Sequence, residues 1–285
     1  MAKDTFLNPK RTLNAKGKLI DLSKPSVMAI LNTTPDSFYD LSRAKSVDDA
    51  LFKIETFLKE GATFIDIGAY SSRPGAAEIT TDEELSRIIP VIEAVQKRFP
   101  EAIISIDTFR AEVARQGVQA GAHIINDISG GSLDEAMFDT VSSLDVPYIL
   151  MHMKGTPQNM HIDPHYDDIL LEVVDYFVQK TAALRKLGVK DIILDPGFGF
   201  AKRATHSYEL LNHMEDLKIF GLSILVGVSR KSMIHKFLKT SPEEALNGTT
   251  VLNTIALING ASILRVHDVK AAVECIKLVE KTHSR

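Results

Sequence analysis

The chain is poor in cysteine, in long apolar runs and in excess charge of either sign. Its one cysteine, Cys275, excludes an intrachain disulfide and fits a reducing compartment. No run of about 18 apolar residues exists, so no membrane span is expected. The opening residues Met1-Ala2-Lys3-Asp4-Thr5-Phe6 lack the apolar core of a secretory signal. Lysine and arginine number 33 against 37 aspartates and glutamates, a net charge of −4. That balance speaks against nucleic acid as a partner, whose phosphates favour a basic excess. Signatures of a protein nucleophile are missing too. There is no Gly-x-Ser-x-Gly, no cysteine at a strand end and no zinc spacing, and His152 and His161 are poorly placed as a metal pair.

What is present is an ordinary globular composition. Of the 285 residues, 45% are hydrophobic and 25% charged, which excludes a disordered, collagen-like or coiled-coil chain. A chain of this length buries about 75% of its unfolded surface and needs no staples. Short β-branched runs alternate with helical patterns. The runs are 26–32, 63–69, 102–108, 123–129, 147–152, 191–197, 223–229 and 263–268. They are almost continuously apolar, as parallel strands covered on both faces should be. Helices are expected over 46–60, with a Ser46 cap and Gly61 as its stop, over 81–98, 111–120, 166–187 and 269–282. Eight strand-then-helix units predict an α/β fold, a (β/α)8 TIM barrel. An open doubly wound sheet is the alternative, and the barrel is preferred because the units fill the chain without a linker. No shift in composition marks a boundary, so residues 1–285 are expected to form one domain. The segment 10–23 reads as a short hairpin-like extension turning around 14–17 and plugging the barrel bottom.

Polar residues gather where these strands end: Asn32, Ser71-Ser72-Arg73, Asp107, Asn126 with Asp127, His152, Asp195, Ser229-Arg230-Lys231, and Arg265 with His267. One aspartate at a strand end is usually a cap or a turn former. A whole ring of such residues on one face of a barrel is hard to explain structurally, because each buried unpaired group would cost about 1–3 kcal/mol. They are expected to surround a polar ligand. Asp107, Asn126 and Asp195 suit a heterocycle rich in N–H donors, such as a pyrimidine or pterin edge. Arg73, Lys231, Arg265 and His267 suit a phosphate, which barrels commonly bind near their last strands. Chemistry without a protein nucleophile points to positioning and leaving-group activation. The long connections 33–45, 70–80 and 153–165 fall on the same face.

These residues, in order, resemble a known family. Asn32-Thr33-Thr34-Pro35-Asp36-Ser37-Phe38 with Asp40 is similar to the first signature of the dihydropteroate synthases, and Asp66-Ile67-Gly68-Ala69-Tyr70-Ser71-Ser72-Arg73-Pro74-Gly75 to the second. Ser105-Ile106-Asp107-Thr108, Ile125-Asn126-Asp127-Ile128, Met151-His152-Met153, the stretch from Leu194 to Phe200, Ser229-Arg230-Lys231 and Arg265-Val266-His267-Asp268-Val269 complete the set. Each piece alone is weak; their order over residues 19–280 is specific.

The resemblance implies a (β/α)8 barrel, usually a cytoplasmic homodimer, that uses Mg2+. It would join 6-hydroxymethyl-7,8-dihydropterin diphosphate to 4-aminobenzoate, giving 7,8-dihydropteroate and diphosphate by an SN1-like displacement. By position, Asp107, Asn126, Asp195 and Lys231 would hold the pterin, with Arg265 stacked on it and Met151 beside it. Asn32, Arg73, Arg265 and His267 would hold the diphosphate, Asn32 also serving as metal ligand. Ser72, Pro74, Phe200 and Ser229 would line the 4-aminobenzoate pocket, and Asp36 and Phe38 would sit on a closing loop. The catalytic set implied is Asp36, Asp107, Lys231, Arg265 and His267. Family members often carry Gly-Glu-Ser-Thr-Arg-Pro where this chain has Ala69-Tyr70-Ser71-Ser72-Arg73-Pro74, and Tyr39-Asp40-Leu41-Ser42-Arg43 lacks their glycine pair. A pterin-dependent methyltransferase serving a corrinoid and a non-catalytic pterin-binding homologue are the competing readings. The first would have little use for Arg73, Lys231 and His267, and the intact Ser229-Arg230-Lys231 and Arg265-Val266-His267 motifs speak against the second.

Overall fold

The computed structural model describes residues 11–33, 43–70, 78–156, 160 and 164–283. Asp36, Phe38, Ser72, Arg73 and Pro74 lie outside the described residues. Eight parallel strands close into a barrel in chain order: β3 (Ser26–Asn32), β4 (Phe64–Gly68), β5 (Ile103–Asp107), β6 (Ile124–Asp127), β7 (Tyr148–Met151), β8 (Ile192–Asp195), β9 (Ser223–Val226) and β10 (Ile263–Val266), with β10 pairing back onto β3. Their residues are buried almost throughout, because barrel side chains face either the packed interior or the helices outside. The expected TIM barrel is therefore the fold.

Each strand is followed by a helix: α1 (Arg43–Glu60), α2 (Thr81–Arg98), α3 (Ala111–Ala120), α4 (Met137–Leu144), α5 (Ile169–Lys186), α6 (Ala204–Asn212), the pair α7 (Ser232–Leu238) and α8 (Leu246–Ile258), and α9 (Val269–His283). Two helix starts differ from the expected ones. The helix expected from Ser46 starts at Arg43. The one expected from Tyr166 starts at Ile169, because Asp168 caps it: the Asp168 carboxylate accepts from the Leu171 N–H at 2.9 Å. Thr80 likewise caps α2 through the Glu83 N–H.

The extension is an antiparallel hairpin, β1 (Thr12–Ala15) and β2 (Lys18–Asp21). Lys16 and Gly17 turn it with φ of 53° and 86°, and Asn14 Oδ1 accepts from the Gly17 N–H at 2.8 Å. Alternation sends Leu13, Ala15, Ile20 and Leu22 onto Met28, Phe64, Ile124, Ile149, Ile193, Leu225 and Ile263 near the strand starts. The hairpin thus stoppers the end of the barrel opposite the polar ring. Among the described residues, no helix is long and apolar enough to cross a membrane.

Candidate active site

Strand register alone brings several expected residues level with one another. Asn32 pairs with Gly68, Gly68 with Asp107, Asp107 with Asn126, and Met151 with Asp195. All stand at the C-terminal ends of their strands, where barrel ligands bind. Arg265, from the middle of β10, reaches across this level. Its Nε donates to Asp66 Oδ2 at 2.7 Å and its NH2 group to Asp107 Oδ2 at 2.6 Å. Asn126 Nδ2 donates to the same Asp66 oxygen at 3.0 Å.

Asp195 is buried at the end of β8, and its carboxylate accepts from the Gly197 N–H at 2.8 Å. Lys231 follows β9. Its ammonium donates to the Phe198 carbonyl and sits 4.7 Å from the centre of the Phe200 ring. A Cβ placed on Gly227 would stand 3.9 Å from both Arg265 Cβ and Lys231 Nζ, so the two cations flank one glycine. Met151 packs with Ile128, Met153, Met160 and Ala201, against Phe109, Leu133 and Phe200. Ser229 and His267 are joined by a hydrogen bond of 3.0 Å between Oγ and Nδ1, and the same Oγ accepts from the His267 N–H at 3.2 Å. Arg230, held at φ 56°, clasps Asp268 with two hydrogen bonds of 3.0 and 2.6 Å. That clasp ties the loop after β9 to the loop after β10.

The electrostatics follow from burial. Desolvation pushes the Asp107 carboxyl up to about 7; the Arg265 charge opposes this, and the Asp66 charge adds to it. Desolvation also raises Asp195, against the pull of Lys231. Lys231 is pulled down to about 8 by its burial, partly offset by Asp195. Arg265 holds its proton more tightly than usual, because Asp66 and Asp107 outweigh the burial that disfavours its charge. The arrangement offers carboxylate and amide groups to N–H donors, with cations beside them for an anion.

Two strand-end groups do not join this cluster. Asp127 points to the opposite side of β6 from Asn126. There it accepts from the Tyr148 hydroxyl at 2.6 Å and from the Ser129 and Gly131 N–H groups at 2.7 and 2.8 Å, a turn-forming role. The His152 side chain is buried against Lys202, whose ammonium lies 2.8 Å from the His152 Nδ1. The same ammonium donates to the carbonyls of His152, Gly197 and Phe200 at 3.2, 3.0 and 3.1 Å. Burial drives the Lys202 pKa well below its usual value and lowers that of His152 likewise, which leaves the imidazole neutral as an acceptor. Lys202 and Asp66 were not among the expected site residues. Asp66 could have been found from its type, a carboxylate in mid-strand that needs partners once buried. Lys202 has no comparable signal. Tyr70, the departure noted in the second signature, packs edge-on against Phe109 at 5.0 Å, with Arg110 over both rings.

No trio of His, Cys, Asp or Glu among the described residues could hold a metal by itself. Asn32, half-buried at the end of β3, offers one hard amide oxygen. Mg2+ commonly takes only one or two protein oxygens and completes its shell with substrate phosphates and water. The residues therefore fit an ion shared with a phosphorylated ligand rather than an all-protein cage.

The sequence gives this barrel its class: the pattern of the family described as pterin binding enzyme matches residues 28–267, and the chain belongs to that family. Within it, the dihydropteroate synthase of Escherichia coli (strain K12) is 46% identical over 274 residues, covering 95% of this chain and 96% of that protein. The dihydropteroate synthase of Yersinia pestis, solved with a sulfonamide drug complex, superposes with a TM-score of 0.90 at 43% identity, covering 96% of this chain and all 100% of that one. That of Xanthomonas albilineans, solved with 4-aminobenzoic acid, gives 0.89 at 36% identity over 96% of this chain and 99% of the other.

Proposed function

We propose that this chain is a dihydropteroate synthase, a transferase that joins 6-hydroxymethyl-7,8-dihydropterin diphosphate to 4-aminobenzoate. The observation that carries the reading is the single polar cluster in which Asp66, Asp107, Asn126 and Arg265 are hydrogen-bonded together, with Asp195 and Lys231 alongside. In this proposal Asp107, Asn126, Asp195 and Lys231 grip the pterin edge, Arg265 lies on its face and Met151 packs beside it. Arg265, His267, Asn32 and Arg73 receive the diphosphate. Phe200, Ser229, Ser72 and Pro74 line the 4-aminobenzoate pocket, and Asp36 and Phe38 belong to the loop that closes over it.

The reaction then needs no protein nucleophile. The bond between the pterin methylene carbon and the diphosphate oxygen breaks first, and the pair of electrons leaves with the diphosphate. The carbon's positive charge spreads into the pterin ring, where the Asp107 carboxylate favours it. The amine nitrogen of 4-aminobenzoate attacks that carbon, and its proton passes to solvent. Mg2+, when bound at Asn32, supplies further neutralisation of the departing diphosphate.

The proposal includes a homodimer and a cytoplasmic home. Leu246, Val251, Ile255 and Ile258 of α8 and Leu278 of α9 are exposed apolar side chains on neighbouring helices, as an interface between copies requires. The buried Cys275 suits a reducing compartment.

Incubating the protein with the pterin diphosphate, 4-aminobenzoate and Mg2+ should yield dihydropteroate and diphosphate in equal amounts. Tight pterin binding without product would overturn the reading in favour of a binding module, and methyl transfer to a corrinoid in favour of a methyltransferase.

A further inference from the structure

Asp66 is fully buried in the middle of β4, yet both of its hydrogen bonds among the described residues come from groups assigned above to the pterin, Asn126 and Arg265. One oxygen, Oδ2, takes the Asn126 amide at 3.0 Å and the Arg265 Nε at 2.7 Å. The other, Oδ1, is buried and has no hydrogen-bond partner among the described residues. A carboxylate only accepts, so it decides which end of the Asn126 amide turns toward it. With Nδ2 committed to Asp66, the Asn126 carbonyl oxygen is the end turned away. Arg265 is held by two carboxylates on two strands, Asp66 at Nε and Asp107 at NH2, and this fixes the plane of the guanidinium.

We propose that Asp66 is a positioning residue for pterin recognition: it sets which way the Asn126 amide faces and in what plane the Arg265 guanidinium lies. The proposal rests on the functional reading above. Asp66 touches neither substrate in this scheme; it acts through the two groups that do. It also loads the ionisation of Asp107. The charges that act on that carboxyl are Arg265, which favours the ionised form, and Asp66, Glu84 and Asp127, which oppose it.

Two substitutions in the full-length enzyme separate geometry from charge. Asp66→Asn can keep an oxygen at the Oδ2 position and place its amide nitrogen where the unpartnered Oδ1 stands, so it removes the charge alone. Its kcat/KM profile should show the acid limb about half a pH unit lower, with the pterin diphosphate KM changed by less than about threefold. Asp66→Ala removes the acceptor as well. It should raise the pterin diphosphate KM about tenfold or more and leave the 4-aminobenzoate KM within about twofold. Folding of each variant is checked by circular dichroism. Folded variants with the parent's limb and the parent's KM values would overturn the proposal. So would an equal rise in both KM values, or a failure of both variants to fold, since either makes Asp66 a scaffold residue only. If the parent chain makes no dihydropteroate, the functional reading fails. Carbon NMR titration of Asp107 in Asp66→Asn then still decides whether Asp66 governs that carboxyl.

Discussion

Replacing Lys202 with methionine tests whether a buried cation can hold a binding loop by carbonyl contacts alone. The Lys202 ammonium is surrounded by four acceptors at 2.8 to 3.2 Å, none of them a carboxylate among the described residues. Methionine keeps the stem and relieves the desolvation that depresses the lysine, a gain for the variant. Against that gain stand the carbonyls of His152 and Phe200 and the His152 imidazole, each left without the lysine donor, whereas the Gly197 carbonyl keeps the Phe200 N–H at 3.1 Å. At about 1–3 kcal/mol for each buried orphan, the loss outweighs the gain and leaves a net cost of about 3 kcal/mol. That corresponds to a fall of about 5 °C in the thermal midpoint. Differential scanning calorimetry reads this directly. Because the same carbonyls shape the turn that carries Asp195 and Phe200, kcat/KM should fall when measured well below the new midpoint. A methionine variant as stable as the parent would refute the reasoning, since it would mean that the ammonium burdens the loop rather than clasping it.

The pH dependence of kcat/KM should be bell-shaped. Activity needs Asp107 ionised, so it rises as pH passes about 7, and it needs Lys231 protonated, so it falls as pH passes about 8. A Lys231→Met variant that kept the alkaline limb would assign that limb to another group. Asp195→Asn loses a charge-assisted hydrogen-bond pair and should weaken pterin binding by about tenfold to a hundredfold in calorimetry; an unchanged Kd would remove Asp195 from the pterin edge. Gly197→Ala should cost at least about 3 kcal/mol in urea unfolding, because φ is +68° and the new Cβ would lie 2.1 Å from the His152 carbonyl oxygen. Gly188→Ala, at φ +86° with nothing within 4 Å, isolates the backbone strain and should cost only about 1 kcal/mol. Equal losses at the two glycines would rule out the clash.

The barrel was legible in the sequence because parallel strands buried on both faces leave unbroken apolar runs. Their ends were less legible. The run 223–229 reads as one strand, but β9 stops at Val226, and the residues after it turn to bring Lys231 beside Arg265. Polar residues at the strand ends marked one end of the barrel, where the structure brings Asp107, Asn126 and Arg265 together. They did not mark the direction in which each one points. Adjacent residues on a strand face opposite ways, so Asn126 and Asp127 could not both meet one ligand. Asp66 was hidden within a run that reads as buried strand, and its partners come from distant parts of the chain. Lys202 was hidden because a lone lysine in a loop ordinarily belongs to solvent. Only the carbonyls folded around it reveal its place.

Arg265 lies 199 positions after Asp66 and 158 after Asp107. During synthesis, most of the groups proposed to grip the pterin therefore emerge long before the side chain that ties them together. A ligand present at that stage has no finished grip to occupy. Once β10 docks on β3, binding fastens the oldest and youngest parts of the chain to each other, and its full free energy then opposes reopening of the barrel. Substrate protects completed molecules and gives a nascent one nothing to hold.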